Sequence, residues 1–251
     1  MVELGYRQIG EGKIVLLFLH ELLGSCKNYD TILPYLDAKI FTCYFVDLRG
    51  YGKSIHLSGD YSCNEATADV INLIEHLNIE DVNLVAHSMS TMIAQKVALS
   101  CVKKISQLIL VTPISAAGIQ VQKSSQEKLL HDMANNKENI EEIVKSASKR
   151  YNNAWIQERV NVAYSSSTQN ARVGYMHMYL STDFLDEVHN IKIPIKIIVG
   201  KHDFPIFSYK TVNRLFSKSY KNFEMFECLE AGHYPMIECP IYFASKIEEF
   251  C

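Results

Sequence analysis

Ser88 is the residue whose surroundings in the sequence most clearly indicate chemistry. The apolar run 82–86 predicts a buried strand of a parallel sheet, and the residues from Met89 onward carry apolar side chains at helical spacing. Only a sharp turn centred on Ser88 fits between them, and the residues two positions away, Ala86 and Ser90, are small. A strand that passes into a helix through one serine with small flanks is the layout of a nucleophile elbow.

A serine hydroxyl is a weak nucleophile unless a base removes its proton and a third group orients that base. Asp203 follows the apolar run 195–199, and His233 follows the predicted strand 223–226. Both are therefore expected at the carboxyl edge of the sheet, where the turn at Ser88 also lies. The chain order Ser88, Asp203, His233 predicts a triad in which the serine attacks, the histidine moves the proton and the aspartate holds the imidazole.

The elements between these residues predict an α/β fold. Strands alternate with helices up to Pro113 and again from Ile195, which is typical of a doubly wound, mostly parallel sheet. Residues 2–8 and 13–19 flank the turn Gly10-Glu11-Gly12 and are expected to open the fold as a hairpin, with an antiparallel N-terminal strand. Residues 114–188 show a helical pattern without strand signals. We therefore expect a core of residues 1–113 and 189–251 with a helical cap, residues 114–188, inserted in it.

Composition narrows the class of the 251-residue protein. Its hydrophobic content of 48% can build one sizeable core, and its net charge of −3 leaves no electrostatic footprint for nucleic acid. No apolar run reaches the roughly 18–20 residues that span a bilayer, and no signal peptide is recognisable. The seven cysteines are odd in number and lack metal-ligand spacing, which indicates reduced thiols in a cytoplasmic protein. We expect no metal, no cofactor, a small-molecule substrate, and either a monomer or a homodimer.

Three segments resemble the α/β-hydrolase superfamily, in its small, cap-bearing serine esterase and BioH-like branch. Residues 20–25 resemble its His-Gly-x-x-Gly loop, and residues 47–54 match its Asp-Leu-Arg-Gly-x-Gly-x-Ser turn. Residues 232–240 look like its Gly-His-x-x-x-x-Glu-x-Pro segment. The resemblance extends over residues 14–250, and it is more specific for the fold than for a substrate.

The resemblance implies an oxyanion hole made by the backbone N–H groups of Leu22 and Met89. The family has Gly where this chain has Glu21. We expect the Glu21 side chain either to reach the substrate or to be solvated.

Other residues could fill the roles of base and acid, but each has a simpler interpretation. His202 lacks the loop setting expected of the base. His20 is expected to fix its loop by hydrogen bonding, and the resemblance implies a structural role for His87. Asp47 ends a predicted strand and is an alternative acid, although its match to the family turn favours a structural role.

The predicted cap is rich in aromatic residues and Met, which favours a largely apolar substrate pocket. The alternative is that most of these side chains hold the cap helices together and onto the sheet. The candidate pocket residues are Glu21, Tyr151, Trp155, Tyr175 and Tyr179.

The leading hypothesis is a serine hydrolase that cleaves a small, mostly apolar ester, thioester or lactone through an acyl-enzyme on Ser88. One alternative is a lyase or carbon–carbon bond hydrolase that uses the same three residues. The other is a non-catalytic ligand receptor of the same fold, which would retain full biological activity after Ser88→Ala.

Overall fold

The computed structural model describes residues 3–101, 103–148 and 150–251. Met1, Val2, Val102 and Lys149 lie outside the described residues. Val2 of the predicted first strand and Lys149 of the predicted cap are therefore not described, and the first strand begins at Tyr6 instead of at residue 2 or 3.

Seven strands form one sheet in the order β1-β3-β2-β4-β5-β6-β7. All neighbouring pairs are parallel except β1 and β3, which are antiparallel. This confirms the mostly parallel α/β sheet with an antiparallel N-terminal strand. The strands are β1 (Tyr6–Ile9), β2 (Ile14–Leu19), β3 (Phe41–Val46), β4 (Val82–His87), β5 (Ile105–Val111), β6 (Ile195–Gly200) and β7 (Phe223–Cys228).

The predicted N-terminal hairpin is wrong, because β1 and β2 lie on opposite sides of β3. The turn between them crosses the beginning of β3, where the N–H of Glu11 donates to Ala38 O at 2.9 Å and that of Gly12 donates to Phe41 O at 3.3 Å. A Cβ on Gly10, whose φ is +82°, would lie only 2.1 Å from Phe41 O. The glycines therefore allow a close backbone crossing and not a two-strand turn.

Nine α-helices are described, and four of them, α1, α5, α6 and α7, begin at a residue whose side chain caps the helix. Ser62 accepts a hydrogen bond from the N–H of Glu65 at the start of α1, and Thr168 does the same for Ala171 at α6. The helices are α1 (Cys63–His76), α2 (Ser90–Ser100), α3 (Lys123–Asn135), α4 (Lys137–Ser148), α5 (Asn153–Ser166), α6 (Gln169–Ser181), α7 (Tyr209–Phe216), α8 (Pro235–Glu238) and α9 (Pro240–Phe250). A 3₁₀ helix, Cys26–Tyr35, follows the loop after β2 and contains Pro34.

The sheet is buried on both faces, as the continuous apolar runs of its strands predict. Along β2, Leu17 and Leu19 belong to one apolar cluster, whereas Leu16 and Phe18 belong to the cluster on the opposite face. This alternation follows from the two-residue period of a strand.

Helices α3 to α6 stand between β5 and β6, where the sequence predicts a cap. Each of them contributes a buried side chain to the same cluster as Leu84 of β4, namely Met133, Ile140, Val160 and Tyr175. Helices α3 to α6, the predicted cap, therefore share an apolar core with one face of the sheet. Among the residues that the structure describes, no helix is both long and apolar enough to cross a membrane.

Asp47 provides a test of how the turn after β3 is stabilised. Its buried carboxylate accepts hydrogen bonds from the N–H groups of Cys26 at 2.8 Å and Lys53 at 2.9 Å. Asp47→Ala leaves both donors without this acceptor, and we expect it to lower the free energy of unfolding by about 2–4 kcal/mol in urea titrations. Asp37→Ala removes an exposed carboxylate that accepts from the N–H of Lys39 and should cost less than about 1 kcal/mol. Equal losses in the two variants would contradict the structural role of Asp47.

Candidate active site

Ser88 lies at the sharp turn between β4 and α2. Its φ is +54°, a left-handed conformation that costs a non-glycine residue about 1–3 kcal/mol. The N–H of Ser88 donates to Val111 O at 2.9 Å, which ties the turn to the end of β5. Among the described residues, Ala86 and Ser90 are not in this conformation, so the strain of the turn falls on the serine alone. Ala86 and Ser90 are therefore compatible with the elbow.

His233 and Asp203 form a buried pair at the same edge of the sheet. The Nδ1 of His233 lies 2.8 Å from Oδ2 and 3.0 Å from Oδ1 of Asp203, and each residue is 7% exposed. Because a carboxylate accepts, Nδ1 carries the proton and donates it, which leaves Nε2 as the nitrogen able to take a proton. Asp203 also accepts a hydrogen bond from the N–H of Phe204 at 2.6 Å.

The backbone of the His233 loop is held from several sides. The N–H of His233 donates to Ala147 O of the cap at 2.8 Å, and its carbonyl accepts from His87 Nε2 at 2.7 Å. On either side of the histidine, the N–H groups of Gly232 and Tyr234 donate to the carboxylate of Glu238 at 2.8 and 2.9 Å. These hydrogen bonds hold the backbone around His233 and do not involve the nitrogens of its ring.

The two histidines of this region have opposite pKa shifts. Burial by itself lowers the pKa of His233, but the charge and hydrogen bond of Asp203, with smaller effects of Glu21 and Glu238, raise the pKa overall. Burial, together with the nearby His233, lowers the pKa of His87 well below its ordinary value. His87 is thus neutral, and its Nε2–H is a fixed donor.

The loop after β2 lies beside the elbow and is fixed by hydrogen bonds, as expected for His20. The Nε2 of His20 accepts from the N–H of Leu48 at 3.1 Å, and its Nδ1 donates to Glu21 O at 2.7 Å. The hydroxyl of Ser90 donates to the carbonyl of His20, and that of Tyr51 donates to Leu22 O at 2.8 Å. Ser90, two positions after Ser88, therefore connects the elbow to this loop.

Glu21 is not solvated, because it is 2% exposed and its carboxylate has several partners. Its Oε1 accepts from Asn28 Nδ2 at 2.9 Å and lies 3.5 Å from Nη2 of Arg159, and its Oε2 accepts from the N–H of Leu23. The expectation of a solvated side chain is wrong, since Arg159 reaches Glu21 from helix α5. The sequence shows no signal for this pair, whose members are 138 positions apart.

A cavity of about 240 Å³ contains Ser88 and His233 in its wall. Leu22 and Leu23 border it from the loop after β2, and residues from the cap and from the loop after β6 complete it. The lining is otherwise largely apolar: Glu21, Ile114, Ile119, Leu129, Ile143, Ala147, Met176, Tyr179, Phe204, Ile206, Phe207 and Tyr234.

Of the five predicted pocket residues, Glu21 and Tyr179 border this cavity and three lie elsewhere. Tyr175 is buried against the rings of Tyr51 and Tyr61, with centroids 5.8 and 5.5 Å apart. Trp155 packs between Tyr151 and Tyr234, at 5.0 and 5.9 Å, and borders a different cavity, of about 790 Å³. The rings of these three residues thus pack against other aromatic side chains and do not border the cavity that contains Ser88.

Sequence reasoning missed Phe204 and Phe207 as cavity residues. Both follow Asp203 in the loop after β6, and their rings contact the His233 ring with centroids 6.1 and 4.9 Å apart. Their position next to the predicted acid is the signal that could have identified them.

The fold and the site together define an α/β protein with a serine at a strand-to-helix turn and a hydrogen-bonded Asp–His pair whose histidine borders the same cavity. Residues 14–240 match the family described as alpha/beta hydrolase fold, and the chain therefore belongs to this family.

Individual relatives agree with this assignment. The 3-oxoadipate enol-lactonase 2 of Acinetobacter baylyi is 23% identical over 256 residues, which cover 98% of this chain and 92% of that protein. The solved structure of an esterase from Exiguobacterium antarcticum has a TM-score of 0.87 at 18% identity and covers 98% of this chain and 94% of its own. The solved structure of an enol-lactonase from Burkholderia xenovorans has a TM-score of 0.84 at 18% identity, and the match covers 98% of this chain and 95% of that one. At these identities the solved structures show the shared fold.

The low pKa of His87 predicts a change in acid stability. Below about pH 6.5, His87 binds a proton in the unfolded state but stays neutral in the native state. The free energy of unfolding therefore decreases as the pH is lowered, by up to about 1.4 kcal/mol for each pH unit. His87→Gln keeps an N–H donor and removes this titration. In urea titrations, the free energy of unfolding should decrease from about pH 7 to about pH 5 in both proteins. We expect this decrease to be about 1–2 kcal/mol smaller in His87→Gln than in the wild type. His56→Gln, at an exposed position, is the control, and a His87→Gln curve parallel to the wild type would refute the assignment.

Proposed function

We propose that this protein is a serine hydrolase that cleaves a small, mostly apolar ester, thioester or lactone. Membership of the α/β hydrolase family, together with relatives named as an esterase and an enol-lactonase, supports hydrolase activity. The observation that carries the finer proposal is the buried His233–Asp203 hydrogen bond in a cavity that also contains Ser88.

In the proposed reaction, the Ser88 Oγ attacks the substrate carbonyl while His233 Nε2 takes the hydroxyl proton. The N–H groups of Met89, at the beginning of α2, and of Leu22 stabilise the oxyanion of the tetrahedral intermediate. His233 then gives the proton to the leaving oxygen or sulfur, and an acyl-enzyme remains on Ser88. A water molecule, deprotonated by His233, releases the acid and restores the serine.

The cavity supports a short apolar acyl group. Its volume of about 240 Å³ lies below the range of about 300–1,000 Å³ that is common for sites of drug-sized ligands. At about 30 Å³ for each water-sized group, it holds on the order of eight heavy atoms.

Labelling with a fluorophosphonate tests the nucleophile. We expect covalent modification of the wild type at Ser88, shown by peptide mass spectrometry, and loss of the label in Ser88→Ala. Hydrolysis of p-nitrophenyl butyrate should fall by about 10⁴-fold or more in Ser88→Ala and His233→Ala. A folded wild-type protein that does not label at Ser88 would exclude the proposal. Labelling without ester turnover, combined with cleavage of a ketone or cyanohydrin, would favour the lyase or carbon–carbon hydrolase alternative instead.

A series of p-nitrophenyl esters tests the size of the acyl site. We expect kcat/KM to be highest at about four to eight acyl carbons and to fall for longer chains, because the cavity then lacks volume. Met176→Ala enlarges the cavity and should move the optimum to longer chains. Met178→Ala is the matched control, since this methionine is equally buried on helix α6 but is not among the cavity-lining residues. If both variants keep the wild-type optimum, the acyl group does not bind in this cavity.

A further inference from the structure

Glu21 introduces a carboxylate into the loop that is proposed to supply an oxyanion donor. Its side chain is 3% exposed, and its hydrogen bonds from Leu23 and Asn28 hold it next to Leu22 in the wall of the cavity that contains Ser88. An anion at this position opposes the formation of a second negative charge on the substrate oxygen, and low-dielectric surroundings strengthen the repulsion.

Arg159 of helix α5 is the cation that faces this carboxylate. Its Nη2 lies 3.5 Å from Glu21 Oε1 and 3.0 Å from Asn28 Oδ1, and its side chain is 7% exposed. Its guanidinium carbon also lies 4.7 Å from the centroid of the Tyr234 ring. One cap side chain thus contacts the loop after β2, the 3₁₀ helix that follows it, and the residue next to His233.

A buried ion pair is sensitive to the loss of one partner, because the remaining charge is then neither solvated nor compensated. Without Arg159, Glu21 would stay in the cavity wall with only the dipoles of Leu23 and Asn28 to stabilise it. The electrostatic cost would be larger in the transition state than in the ground state, since the oxyanion forms only there.

We propose that Arg159 is a positioning residue for the reaction, whose charge cancels that of Glu21 and keeps the Leu22 N–H effective toward the oxyanion. The inference rests on the proposed hydrolase function and extends it. It assigns to the cap a role in the chemical step, beyond shaping the substrate cavity.

A double-mutant cycle in kcat tests the inference. We expect Arg159→Met to lower kcat for p-nitrophenyl butyrate by about 10²-fold with little change in KM, because the loss is confined to the transition state. Adding Glu21→Gln to Arg159→Met removes the carboxylate charge that Arg159 no longer compensates. The kcat of the double variant should therefore be at least about tenfold higher than that of Arg159→Met alone. A double variant as slow as Arg159→Met would overturn the proposal.

Arg172→Met is the matched control for general damage to the cap. Arg172 is a buried arginine of helix α6 that donates to the carbonyl of Ser167 at 3.0 Å and does not border the cavity. We expect Arg172→Met to keep kcat within about threefold of the wild type, even where its melting temperature falls by as much as that of Arg159→Met. Equal losses of kcat in the two variants would mean that Arg159 acts through cap packing alone, which refutes the inference.

The pH profile of Glu21→Gln provides a readout that packing would not change. Four groups influence the charge on His233: Asp203, Glu21, Glu238 and His87. Glu21 favours the protonated ring, so its neutralisation should move the acid limb of kcat/KM to lower pH. An unmoved acid limb would contradict the charge coupling.

The proposed hydrolase function can fail separately from this inference. Absence of wild-type labelling at Ser88 refutes the function and the inference together. Normal wild-type labelling and turnover, with kcat unchanged in Arg159→Met, refutes the inference alone.

Discussion

Parallel pairing of β4, β5, β6 and β7 is the constraint on which the site depends. In the register of the sheet, His87 pairs with Val111, Val111 with Ile198, and Gly200 with Cys228, so that the strands end at one edge. The turn at Ser88 and the loops that carry Asp203 and His233 leave the sheet at this edge. Residues that are far apart in the chain are therefore brought together by backbone hydrogen bonds before any side chain contributes.

Close contact between two loops then sets the distance from Asp203 to His233. A Cβ on Gly200 would lie 1.8 Å from the carbonyl oxygen of Gly232, so that only a glycine allows the loops after β6 and β7 to approach this closely. The N–H of His202 donates to Ala231 O at 3.0 Å across the same contact. His202 therefore contributes its backbone N–H to the contact between the loops. This agrees with the sequence, in which His202 lacks the loop setting expected of the base.

Local patterns in the sequence predict the parts of this protein that depend on local structure. The alternation of apolar runs and amphipathic helices predicts the parallel sheet, and the small residues around Ser88 predict its turn. The partner of β1 could not be predicted, because the glycines at 10 and 12 are equally compatible with a hairpin and with a crossing over β3. The burial of Glu21 depends on a cation 138 positions away, and no periodicity encodes such a pair. Aromatic residues of the cap suit a core and a substrate pocket equally well, so composition did not separate Tyr175 from Tyr179.

The contact between the cap and the His233 loop limits how this architecture can be recombined. The carbonyl of Ala147, near the end of helix α4, accepts the N–H of His233 at 2.8 Å, and a Cβ on Gly232 would lie 2.5 Å from the same oxygen. A chimaera in which helices α3 to α6 come from another protein would change the cavity, but it would also replace the acceptor that holds the backbone of His233. Grafting of these helices therefore requires a donor segment that places a carbonyl oxygen at this point, whereas side-chain changes along the cavity wall leave this backbone acceptor in place.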